Sequence, residues 1–95
     1  MILYEDNHNI SRSVYVEIEN GVLSIIEQDI KPKQFEQERT FKTKELDKVL
    51  SILNAESINE LLQEIKENYN THDAFDRLTH LLHDKVKYTF NSFIS

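Results

Sequence analysis

Hydrophobic positions recur along this chain with two different periods. Val14, Val16 and Ile18 alternate with Tyr15, Glu17 and Glu19, a period of two that predicts a strand with one face buried and one wet. Asn20-Gly21 then supplies a two-residue hairpin turn, because both central positions of such a turn need positive φ. Val22 to Ile26 returns as a second strand, with Leu23 and Ile25 on one face and Val22, Ser24 and Ile26 on the other. Apolar on both faces, it is expected at the centre of a sheet.

The alternation breaks at Ile30-Lys31-Pro32-Lys33, since proline cannot donate to a ladder. Phe35 to Phe41 predicts a third strand, with Phe35 and Phe41 inward and Glu36, Glu38 and Thr40 outward. A further strand at Ile2 to Tyr4 has only a weak signal. Glu27 and Asp29 would point with Leu23 and Ile25 if alternation continued, and are expected instead where the strand has already ended.

From Thr43 the period becomes 3.6. Leu46, Val49, Leu50 and Leu53 form one apolar stripe, and Ile58, Leu61, Leu62, Ile65 and Tyr69 another. Asn54 separates them, and Ser57-Ile58-Asn59-Glu60 matches a capping box, placing the start of the second helix. A third helix follows Asn70-Thr71, with Phe75, Leu78 and Leu82 inward. Val86, Tyr88 and Phe90 alternate with Lys87 and Thr89, so the last segment is expected to join the sheet as a strand. The expected fold is α+β: an antiparallel sheet of three to four strands with three helices packed on one face, in the order β-β-β-α-α-α-β.

The 95 residues suit one domain, residues 1–95. The lack of cysteine removes thiol chemistry and disulfides and fits a reducing compartment. No apolar run approaches the roughly 20 residues a membrane helix needs, so a cytoplasmic protein without a membrane partner is expected. A net charge of −6 repels phosphate backbones and disfavours direct nucleic-acid binding. Residues 1–42 hold five basic and eight acidic groups and residues 43–95 six and nine, so functional charge must come from local arrangement.

Chemistry is sparse. With one glycine the chain can form neither a P-loop nor a dinucleotide fingerprint, and no serine lies in a nucleophile elbow. Asp76, His80 and His83, with His72 one turn earlier, share a helical flank at spacings where two imidazoles could reach one ion. Lacking a recognised metal spacing, they read first as an exposed polar face that happens to hold histidines. Paired carboxylates do acid–base work only when burial or crowding raises a pKa, and the strand glutamates face water. No enzyme, cofactor or metal is expected.

A surface remains. Glu17 and Glu19 on one strand and Glu36 and Glu38 on another are expected on the same sheet face, with Tyr15 as an aromatic anchor and Asp29 assisting. Such a face would dock on a cationic partner, or would only keep an open sheet soluble and unpaired.

The strings "SVYVEIENGVLSIIEQDI", "FEQERTF", "LDKVLSILNAESINELLQEIKENY" and "VKYTFNSF" together resemble small bacterial immunity proteins of polymorphic toxin systems. Gly21, Leu23, Ile25, Gln28 and Asp29 carry the hairpin part, and the likeness runs over about residues 13 to 94. "QFEQERTF" departs from it in having fewer aromatics. The resemblance implies a non-enzymatic inhibitor that binds a cognate toxin with a basic surface, many such toxins being nucleases, and neutralises it by occlusion in the cytoplasm. The competing class is a structural or adaptor module, such as a homodimer pairing its edge strand or helical face, with no toxin partner.

Overall fold

A computed structural model describes residues 1–7, 11–30 and 36–94, with the side chain of Asn7 left aside. The elements are β1 (Ile2–Asn7), β2 (Ser11–Glu19), β3 (Val22–Ile30), β4 (Glu36–Thr43), α1 (Leu46–Ile52), α2 (Ile58–Asn68), α3 (Ala74–Leu82) and β5 (Thr89–Ile94). All five strands form one antiparallel sheet in the order β1-β2-β3-β4-β5. This corrects the expected three to four strands: β1 is a full six-residue strand that pairs with β2, so four strands precede the helices. Its signal was weak because, among its described residues, Leu3 and Tyr4 alone join the apolar cluster. The expected Phe35 core position and the Pro32 break lie outside the described residues.

The hairpin forms as its residues dictate. Asn20 has φ 53 and Gly21 φ 76, and this two-residue turn aligns β2 with β3 so that residues equidistant from it face each other. Val16 pairs Ile25 and Ile18 pairs Leu23. β3 is central, as expected from its two apolar faces, and alternates buried and less buried positions from Val22 to Asp29 without a break.

The alternation sorts the sheet into two faces. On the helix side Val14, Val16, Leu23, Ile25 and Phe41 join Val49, Leu61, Ile65, Phe75, Leu78 and Leu82 in one apolar cluster. Burying a Leu, Ile or Phe side chain is worth about 1.5–3 kcal/mol, so this cluster holds the helices on the sheet. The break after α1 and the start of α2 fall where expected. Asn54, at φ 54, follows α1, and the Ser57 hydroxyl accepts from the Glu60 amide to cap α2. The Glu60 carboxylate reaches one residue further back than a capping box requires, accepting from the Glu56 amide. Ile58, expected on the α2 stripe, is 43% exposed at the helix start.

Candidate functional site

β3 continues in register with both neighbours to Ile30, so Glu27 and Asp29 do point inward with Leu23 and Ile25. They are almost fully buried. This overturns both the expectation that the strand had ended and the placement of Asp29 beside the outward glutamates, since Asp29 lies on the opposite side of the sheet.

Two arginines make that burial tolerable. Arg12 sits opposite Asp29, and Arg39 opposite Glu27. The Arg12 Nε and Nη2 donate to Asp29 Oδ1 and Oδ2, each at 2.8 Å, a bidentate fork. The Asp29 hydrogen bonds, opposed by burial and aided by nearby carboxylates, push the Arg12 guanidinium further above its already high pKa. Arg39 donates twice to Glu27 Oε1, at 3.0 and 2.6 Å, and once to Asp76 Oδ1 at 3.0 Å. Its guanidinium lies 4.5 Å above the Phe75 ring. Among the described residues Glu27 Oε2 accepts no hydrogen bond, and Arg12 Nη1 lies 3.7 Å from it. Sequence patterning missed both arginines, yet the signal was present, because a two-residue turn at Asn20-Gly21 places Arg12 opposite Asp29 by counting alone.

This network neutralises the inward acids from within, so they offer nothing to a partner. It also occupies the histidine flank. Asp76 faces Arg39, while His72 presents its carbonyl and Nε2 to Arg12 and its ring lies nearly perpendicular to that of Tyr4. His83 Nδ1 is 2.9 Å from the His80 carbonyl oxygen. Among the described residues no group of three or more His, Cys, Asp or Glu could hold a metal ion.

The other face of the sheet has no helix over it. Register places Tyr15, Glu17 and Glu19 of β2 on the same side as Ser24, Ile26 and Gln28 of β3 and as Glu38, Thr40 and Lys42 of β4. Glu36 lies there too, beside Ile30. Glu5 of β1, opposite Ser13, was not anticipated and joins them. The face thus carries five carboxylates, Glu5, Glu17, Glu19, Glu36 and Glu38, against the single ammonium of Lys42 among its described strand residues.

The predicted glutamates share this face without forming one cluster. Glu17 shares its cross-strand row with Ser24 and Lys42, and Glu38 shares its row with Ser13 and Gln28. Strand spacing and rise put the two acids about 16 Å apart. Tyr15, Ile26 and Thr40 form the row midway between them, all half-buried. Glu17, Glu19 and Glu36 are exposed, whereas Glu38 is half-buried and accepts from Gln28 Nε2 at 2.8 Å.

The two ends of the face differ. At the hairpin end a groove of about 640 Å³ brings Glu17, Glu19 and Glu45 together with Lys42, Lys44 and Lys87, so charge there is mixed. At the far end Glu36 and Glu38 sit beside Ile30, 49% exposed, and Phe93, 60% exposed. This end of the face therefore has exposed apolar side chains bordered by carboxylates.

No family model matches this chain, and neither a curated protein nor a solved structure matches it. Among the described residues no helix is long and apolar enough to cross a membrane.

Proposed function

We propose that this protein is a non-enzymatic inhibitor of the immunity-protein kind, which docks its uncovered sheet face on a basic toxin in the cytoplasm and occludes it. One observation carries the reading: among the described strand residues of the uncovered face five carboxylates stand against one ammonium, while the inward acids are neutralised by Arg12 and Arg39. Tyr15 and Ile26 lie at the middle of that face, with the glutamate pairs towards either end. A cationic groove, such as the substrate groove of a nuclease, would meet this charge at long range, giving fast and salt-dependent association.

The test is co-expression with the product of the gene directly upstream, where a toxin would be encoded. A stable complex, formed at least tenfold more slowly at low salt by Glu36→Lys/Glu38→Lys or by Glu17→Lys/Glu19→Lys, is the expected outcome. Association rates unmoved by either pair would remove the docking face.

A further inference from the structure

The two edges of the sheet are built differently. β1 carries Glu5 and Asp6, and its register with β2 shifts between Ile2 and Tyr4. Charge and irregularity of this kind discourage a second chain from adding to an edge. β5 has neither. Its residues, Thr-Phe-Asn-Ser-Phe-Ile, run in unbroken register against β4 and are exposed throughout. Among the described strands it is the one with no charged side chain. Phe90, Phe93 and Ile94 are 49%, 60% and 65% exposed, on both faces of the sheet at once. A groove of about 550 Å³ between α3 and β5, lined by Phe75, His80, His83, Tyr88 and Phe90, shows that the helical layer stops short of this edge.

We infer that β5 pairs with β5 of a second copy, antiparallel about a two-fold axis normal to the sheet, merging two five-stranded sheets into one of ten strands. Charge selects this occupant. β5 itself offers a basic partner no carboxylate, the acid beside it being Glu38 of β4 opposite Phe93, while two copies that each carry a net charge of −6 repel least where they meet through a strand without charge. The strand is also self-complementary. Opposed residues of an antiparallel pair share a face, and an axis at Ser92 sets Phe90 against Ile94 of the second copy on the helix side. On the open side it sets Asn91 against Phe93 of the second copy. The arrangement closes on itself, so it ends at a dimer. Three apolar side chains per copy fall short of the roughly 20–30 residues a side of a standard interface, so the association is weak and reversible.

This pairing does not depend on the proposed inhibitor role and is compatible with it, Phe93 bordering both the seam and the acidic face. A two-fold axis normal to the sheet keeps both helical layers on one side and both acidic faces on the other, uncovered and adjacent.

Sedimentation of the full chain over about 1 μM to 1 mM tests the pairing directly. A monomer–dimer equilibrium is expected, weakened at least tenfold by Phe93→Lys/Ile94→Lys, two exposed positions whose change leaves the circular dichroism intact. Hydrogen exchange of the unmodified chain provides the second measurement: β5 amides should slow at high concentration relative to low. A monomer at every concentration, assemblies that grow beyond two copies, or a dimer whose β5 amides gain no protection would each overturn the inference.

Discussion

Arg39 and Glu27 face each other across β4 and β3 and are joined at 2.6 Å, with the carboxylate almost entirely out of water. Such a pair is held less by its own attraction than by the cost of breaking it, because desolvation of both ions offsets most of the Coulomb gain. Arg39→Leu leaves Glu27 without its hydrogen-bonded cation, with Arg12 in ionic contact at 3.7 Å, and should cost about 3 kcal/mol in urea unfolding. Glu27→Leu/Arg39→Leu should recover most of that loss. Asp76→Ala, removing the 61% exposed partner of Arg39, should change stability by less than about 1 kcal/mol. A double variant as unstable as Arg39→Leu alone would show that the pair does not act as a unit.

The β2–β3 turn sets the register of everything beyond it. Gly21 at φ 76 has nothing within 4 Å of an added Cβ, so Gly21→Ala meets backbone strain alone and should cost about 1–2 kcal/mol. Asn54, also at positive φ, should accept glycine with no loss and lose about 1 kcal/mol on change to alanine. Thermal unfolding of the three variants checks the ranking.

Capping of α2 rests on one hydroxyl, since Ser57 accepts from the Glu60 amide at 3.1 Å. Ser57→Ala should destabilise by about 1 kcal/mol and Ser57→Asp by little, measured by chemical denaturation. Equal losses in both would mean that the serine is packed rather than capping.

Glu45 links the start of α1 to the approach of β5. Its carboxylate takes hydrogen bonds from the Lys48 ammonium and from the Lys87 amide, which hold its pKa below the usual glutamate range against a small burial effect. A depressed carboxyl stabilises the fold at pH values above its unfolded pKa, and that contribution is lost as pH falls through the lower folded value. The Lys87 amide resonance should therefore titrate below the glutamate range. Glu45→Gln should abolish the titration, and a midpoint at or above the ordinary value would show that the contact does not form.

Most of this architecture was legible in order along the chain, for physical reasons that act over a few residues. Alternation found β2, β3 and β4, positive-φ residues found the turns, and the Ser57 cap found the start of α2. β1 showed only faintly, at Ile2 to Tyr4, because a bulged edge strand with few buried side chains has little periodic signal. Asp29 was misplaced for a different reason. An acid on an apolar face looks like the end of a strand until its partner is known, and that partner is 17 residues away on another strand.

By itself the sequence determined the periods, the hairpin and the absence of phosphate-cradling motifs, since each depends on neighbouring residues and local backbone preference. Tertiary structure alone decided which acids are available. Pairing across strands buried Glu27 and Asp29 against Arg12 and Arg39, brought Glu5 onto the face with the other glutamates, and divided those glutamates between its two ends. Sheet order likewise left β5 as an uncharged edge. These are outcomes of register and long-range packing, in which the charge that matters is set by what lies opposite and not by what comes next.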